Sequence, residues 1–182
     1  MNPSHFLLLL CLYIRKPELG TGVLFLDYVE VFTNYYSKVY KQLLYILNDP
    51  FLAEDLAQEV FLKFYRNPPE KEECIGAWLF QVAKNVAYNH IRGENNRIHR
   101  EIKACLFKGT EMYSPSYAQE EQIYVRQVLK RMDERDRTIL ILKLSGYSYE
   151  EIAGVLGVKK TSVGTLIARA QRRFKELYEK GV

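Results

Sequence analysis

From Leu26 to Lys103, and again from Glu121 onward, apolar residues recur three and four apart, and nowhere do they alternate strictly with polar ones. That period lines side chains along one face of a helix, so the chain is restricted to an all-helical fold. In the first block Tyr28, Val31, Phe32, Tyr35, Tyr36, Val39, Tyr40, Leu43, Leu44 and Leu47 predict a helix from about Asp27 to Asn48. Asn48-Asp49-Pro50 ends it and begins the next, with Asp49 as N-cap and Pro50 in the first turn. This second helix, Pro50 to Tyr65, has Glu54 and Asp55 near its start and Lys63 and Arg66 at its end, the order the helix dipole favours. A third starts near Ile75 and carries Trp78, Leu79, Val82, Ala83, Val86, Ala87 and Ile91; the pattern leaves open whether it passes Gly93.

Periodicity fails from Ala104 to Glu120, where Gly109, Thr110, Ser114, Pro115 and Ser116 mark an interdomain linker. Beyond it Ile123, Val125, Val128, Leu129 and Met132 predict one helix. Asp133 is expected to cap a second, with Ile139, Leu140, Leu142 and Leu144 facing a core and Gly146 closing its end. The expected architecture is all-α: two small helical domains, residues 26–103 and 121–182, joined by a flexible linker, residues 104–120.

Residues 1–25 form an N-terminal extension. Its apolar run Phe6–Ile14 is too short for a bilayer, which needs about 20 residues. No Lys or Arg precedes the run, so it makes a poor signal peptide. Two readings stand: a loosely held apolar tail, or a start assigned too far upstream, with Val23, Leu24 and Leu26 as alternative starts. No membrane insertion and a cytoplasmic location are expected. Cys11, Cys74 and Cys105 are odd in number and widely spaced, which speaks against a disulfide framework or zinc site and for reduced thiols. There is no P-loop, nucleophile elbow or metal cluster, so neither an enzyme nor a cofactor is expected.

The densest local signal runs from Ser148 to Arg173. Ser148-Tyr-Glu-Glu151 is a capping box, and Ile152, Ala153, Val155 and Leu156 form a short apolar helix that stops at Gly157. A longer helix follows, from about Lys160 to Glu179. Val158 fills the turn, and Val163, Leu166, Ile167 and Ala170 repeat inward. The opposite face carries Lys159, Lys160, Thr161, Ser162, Thr165, Arg169, Arg172 and Arg173, and no acidic residue lies between Lys159 and Lys175. This is a helix-turn-helix pattern whose second helix suits the major groove, where Arg and Lys read guanine and Ser or Thr reach bases or phosphates. Two lysines at that helix's start oppose the dipole, a conflict that a DNA phosphate relieves.

The segment Glu151-Ile-Ala-Gly-Val-Leu-Gly-Val-Lys-Lys-Thr-Ser-Val-Gly-Thr-Leu-Ile-Ala-Arg-Ala resembles the fourth domain of extracytoplasmic-function (ECF) sigma factors, and Met132-Asp-Glu-Arg-Asp-Arg-Thr-Ile-Leu resembles its entry. Ala53-Glu-Asp-Leu-Ala-Gln-Glu-Val-Phe-Leu-Lys-Phe-Tyr is similar to that family's polymerase-binding helix, and Ala77 to Arg92 to the helix that reads the −10 element. The resemblance implies partners: RNA polymerase core, through the largest subunit's clamp helices and the flap, promoter DNA, and an anti-sigma factor. It implies that Asp55, Gln58, Glu59, Phe61 and Leu62 lie on the core-binding helix. It assigns Lys84, Asn85, Asn89, Arg92, Arg97 and Arg100 to −10 binding, with the loop Pro68–Cys74, and the basic helix face to −35 binding. Trp78, at helical spacing with Val82, is expected in the core. Gly164, Leu166 and Lys159 depart from residues common in the family, so the −35 sequence preference does not carry over. The competing reading is a stand-alone helix-turn-helix regulator that uses residues 26–103 as a sensor or dimerisation domain.

Overall fold

Asp49 and Pro50 set the first corner of the chain. The Asp49 carboxylate accepts from the amides of Phe51 (2.9 Å) and Leu52 (3.0 Å), satisfying two donors that a helix start leaves without partners. This corner joins helix α1, Gly22–Leu47, to α2, Pro50–Arg66. Asn48 between them takes the left-handed conformation, φ 59°, which asparagine tolerates better than most residues. In the computed structural model, which describes residues 22–105 and 117–181, α1 starts ahead of the predicted Asp27. Val23 to Leu26 continue the apolar helical pattern backwards, so the last residues of the expected extension are helical. The run Phe6–Ile14 lies outside the described residues.

After a short 3-10 turn, Glu72–Cys74, helix α3 spans Ile75–Cys105. It passes Gly93 without a break. The cost of one glycine, about 1 kcal/mol, is outweighed by the residues on either side. Helix α4, Tyr117–Arg131, begins inside the stretch expected to be linker; residues 106–116 lie outside the described part. Helices α5 (Glu134–Ser145), α6 (Tyr149–Leu156) and α7 (Lys160–Glu179) complete the chain, and no strand occurs among the described residues.

The C-terminal helices are punctuated by two glycines. Gly146, φ 90°, ends α5: its amide reaches Lys143 O, and the amide of Tyr147 reaches Leu142 O at 3.1 Å. Gly157, φ 63°, ends α6 in the same way, with the Val158 amide on Ala153 O at 3.1 Å. Both are Schellman closures, and each turns an apolar residue, Tyr147 or Val158, back onto the core. The capping box at Ser148 is complete: Ser148 Oγ accepts from the Glu151 amide, and the Glu151 carboxylate accepts from the Ser148 amide at 2.6 Å. Replacing Ser148 by alanine is expected to lower stability by about 1 kcal/mol in urea unfolding. Asp133 differs from expectation. It stands at the N-cap of α5 but makes no side-chain cap bond; Glu134 and Asp136 in the first turn complement the dipole instead.

Val128, Ile139, Leu142, Ile152, Val163 and Ala170 are fully buried in the C-terminal core, and Val39, Leu43, Val60, Phe61, Leu79 and Ala83 in the helices before it. Leu144, expected inside, is 58% exposed, and Ile141 is buried in its stead. The chain divides into two compact units, Met1–Asn34 and Tyr35–Val182, with the boundary inside α1. In the first, Tyr28, Val31 and Phe32 are buried, with the Tyr28 and Phe32 rings 6.2 Å apart. The second holds the rest of the described chain. The division does not fall at the linker, because α6 packs directly against α3.

Candidate functional site

Helix α2 presents the first surface. Leu56, Val60 and Phe64 face inward, while Asp55 and Glu59 are exposed and Gln58 and Leu62 half-buried. Glu59 pairs with Lys63 at 3.2 Å. Phe61 does not belong to this surface. It is fully buried, 5.9 Å from the Tyr36 ring, because it falls on the inward set with Ala57 and Phe64. A residue the sequence reading passed over does belong: Phe51 is 81% exposed. Phe51, Asp55, Gln58 and Leu62 are spaced four, three and four apart, which is one face of a helix, and that spacing was the available signal.

Helix α3 carries the second surface. Asn85, Asn89 and Arg92 are exposed along one face, and Gln81 Nε2 donates to Asn85 Oδ1 at 3.1 Å. Arg97 is exposed and grips Glu94 at 2.6 Å; its hydrogen bond holds the Glu94 carboxyl below the usual carboxylate range. Arg100 is on the same helix, with its side chain outside the described residues. Lys84 stands apart from the rest. Its side chain is only 22% exposed and is ion-paired to Glu134 of α5. Trp78 is partly buried, edge-on to Phe64 at 5.7 Å, in line with the expected core role.

Helix α7 and the residue before it carry the third. Val163, Ile167 and Ala170 are buried and Leu166 is half-buried. Lys159, Lys160, Thr161, Ser162, Thr165, Arg169, Arg172 and Arg173 are all exposed. Three acids attend them: Lys160 pairs with Glu150, Arg173 with Glu176 at 3.4 Å, and Arg169 with the buried Asp136 at 3.1 Å, while Lys175 further along pairs with Glu179 at 3.6 Å. Lys159 and Arg172 make no ion pair among the described residues. Gly164 serves no tight packing, since a Cβ there would meet only a Tyr149 ring carbon at an ordinary 3.7 Å.

The pattern gave no warning of a fourth feature, a junction between α6 and the helices α1 and α3. Gln42 is fully buried; its Nε2 donates to Phe80 O at 2.9 Å and its Oε1 accepts from the Tyr147 hydroxyl at 3.3 Å. Phe80 and Tyr147 meet edge to face at 6.1 Å. Lys38 Nζ donates to both oxygens of Glu151, at 2.7 and 3.0 Å, and lies 4.6 Å from the Tyr35 ring centre. Burial works to raise Glu151, but hydrogen bonds from Lys38, Ser148 and Tyr35 prevail and hold it below the usual carboxylate range. Burial first, and Glu151 second, push the Tyr35 hydroxyl up to about 12. Beside this junction an open groove of about 980 Å³ is lined by Leu44, Tyr45, Pro50, Val125, Leu129, Leu140, Leu144 and Phe174, and it accounts for the exposure of Leu144.

Among the described residues no helix is long and apolar enough to cross a membrane, and no cluster of His, Cys, Asp or Glu is arranged to hold a metal ion. The chain matches two protein families, Sigma-70 region 2 over residues 31–97 and Sigma-70 region 4 over residues 122–174. It is 28% identical over 157 residues to the ECF RNA polymerase sigma factor SigM of Bacillus subtilis, covering 84% of this chain and 96% of that one. It is 30% identical over 152 residues to the RNA polymerase sigma-H factor of Pseudomonas aeruginosa, covering 75% and 78%. In fold it is similar to the sigma factor RpoE of Bartonella quintana, solved in complex with the anti-sigma factor NepR, with a TM-score of 0.52, 21% identity, and coverage of 84% and 97%. The α2 surface and the α3 stripe lie within the region 2 match, the basic face of α7 lies within region 4, and the chain belongs to the ECF RNA polymerase sigma factors.

Proposed function

We propose that this sigma factor, acting in the cytoplasm and without catalytic chemistry of its own, docks on core polymerase through the α2 face and delivers promoter DNA at two places. The observation that carries the reading is the division of labour among the three exposed surfaces. The α2 face is mixed acidic and apolar, which suits a protein partner. The α3 stripe is amide-rich, which suits base edges, and the α7 face is basic, which suits phosphate and guanine. Asp55, Gln58, Glu59 and Leu62, with Phe51 at their head, form the core-binding surface, which Phe61 supports from beneath. Asn85, Asn89, Arg92, Arg97 and Arg100 serve the −10 element, joined by Lys84 once Glu134 releases it. Lys159, Lys160, Thr161, Ser162, Thr165, Arg172 and Arg173 serve the −35 element. Arg169 is divided between DNA and Asp136. Residues 26–103 and 121–182 act as two modules, so two modest DNA affinities combine through their tether.

The similar RpoE structure contains an anti-sigma factor, and a protein of that kind is a fitting inhibitor here, with the groove around Leu44, Leu129, Leu140 and Leu144 as an apolar seat for it. A stand-alone regulator is not favoured, since the residues it would use as a sensor match Sigma-70 region 2.

The test is transcription from genomic DNA by purified core polymerase, with and without this chain. The chain is expected to direct new transcript starts. Asp55→Lys and Phe51→Ala are expected to weaken core binding about tenfold each, the loss of roughly 1.4 kcal/mol at an interface residue. Absence of any added transcript, with no binding to core, would remove the reading.

A further inference from the structure

Asp136 and Arg169 form a pair that belongs wholly to the C-terminal helices, inside the region 4 match. Asp136 stands in the first turn of α5 and Arg169 halfway along α7, two helices that pack together. The side chain of Asp136 is 9% exposed, and that of Arg169 is 57% exposed. A buried carboxylate is costly unless its oxygens are well served. Among the described residues this one meets a single side-chain donor, Arg169 Nη2 at 3.1 Å.

Stability alone does not call for a buried acid here. Glu134 already complements the dipole from the same turn, and it does so from solvent. What the acid does is fix its partner. Arginine carries five N–H donors in a rigid plane. One of them is given to Asp136, which anchors the plane at its inner edge and leaves the rest of the guanidinium in water. The other cations of the face are held differently. Lys159 and Arg172 make no ion pair among the described residues, and the acids that meet Lys160 and Arg173 are themselves exposed. Such side chains can follow a phosphate, which carries no sequence information.

We infer that Asp136 is a positioning residue for promoter reading: it holds the Arg169 guanidinium in one orientation, so that Arg169 reads a guanine of the −35 element while its neighbours grip phosphate. This role requires the contact between α7 and the −35 element proposed above. A fork set in advance loses less freedom on binding. The effect has the opposite sign to that of charge alone. An acid near DNA repels it, so its removal by itself would tighten binding to every sequence, whereas loss of a positioned arginine weakens binding at one base pair.

The experiment uses the full chain with core polymerase and promoter duplexes randomised over the −35 region; sequencing the bound fraction gives the preference at each base pair. Wild type is expected to prefer one G·C pair about tenfold, the discrimination of a bidentate arginine. Asp136→Asn leaves no buried charge, and Arg169→Lys keeps a cation but loses the fork. Each is expected to lower that preference to about twofold, at the same pair and at no other. The double variant is expected to fall no further, since one residue acts through the other. Arg172→Ala is expected to weaken binding to all sequences alike. Urea unfolding checks that the variants are folded. Full preference in folded Asp136→Asn or in Arg169→Lys would overturn the inference. So would equal losses at every base pair, the mark of a merely structural acid, or a further loss in the double variant. If wild type binds core polymerase but enriches no −35 word, the −35 role of α7 fails and that of Asp136 with it; an enriched word that Asp136→Asn leaves unchanged overturns the role of Asp136 alone.

Discussion

Leu142→Ala is expected to lower the unfolding free energy by about 3 kcal/mol, within the range of about 2–5 kcal/mol found for large-to-small changes in packed cores. Leu142 is fully buried among Val128, Ile139, Ile152, Val163 and Ile167, and its carbonyl also receives the Tyr147 amide that closes α5. The alanine leaves a cavity that neighbours on three helices cannot all move to fill. Against a domain stability of about 5–15 kcal/mol, this is enough to populate unfolded chains at modest urea. Leu144→Ala, two residues on, is the internal control. Its side chain is exposed over the groove, so its loss is expected to move stability by about 0.5 kcal/mol or less. Urea unfolding followed by circular dichroism separates the two, and equal midpoints would show that the C-terminal core is not the one described.

Alanine at Lys159, Lys160 and Arg172 together is expected to weaken binding of the polymerase–sigma complex to promoter DNA about a hundredfold near physiological salt. Each phosphate contact contributes about 0.9 to the slope of log affinity against log salt, so the triple variant's slope is expected to be shallower by nearly 3. The choice of residues follows from the ion pairs. Lys159 and Arg172 make none among the described residues, and the partner of Lys160, Glu150, is itself exposed. Arg169 is a worse probe. Its removal leaves the buried Asp136 carboxylate without its cation, so lost folding would be mistaken for lost DNA contact. An unchanged salt slope, with core binding intact, would show that the α7 face does not meet phosphate.

Much of the fold was legible because local signals agreed with one another. Asp49-Pro50, Gly146, the Ser148–Glu151 box and Gly157 each mark a boundary through backbone chemistry that needs no tertiary context. Asp133 was misread because a capping residue type guarantees a donor search, not a bond. Leu144 and Phe61 were misplaced for a different reason. Spacing along a helix identifies faces, but which face is covered depends on helices distant in sequence, and Phe61 lies at the edge where the exposed and buried faces of α2 meet. Gln42 was overlooked because a polar residue at an inward position, three after Val39, looks like a break in the stripe until its partners from α3 and α5–α6 are in place. Lys84 seemed a free DNA ligand, since nothing in the sequence ties it to Glu134.

If α3 reads the promoter as proposed, its unbroken course limits how much a promoter can tell this protein. With a rise of about 1.5 Å per residue, the row from Asn85 to Arg92 is only about 10 Å long, roughly the height of three stacked base pairs. A single helix offers no second row of amides beside that one, and Arg97 and Arg100 beyond it suit phosphate rather than base edges. The downstream half of the promoter's vocabulary is then short, and any lengthening of the recognised word has to come from the loop before the rod rather than from the rod itself.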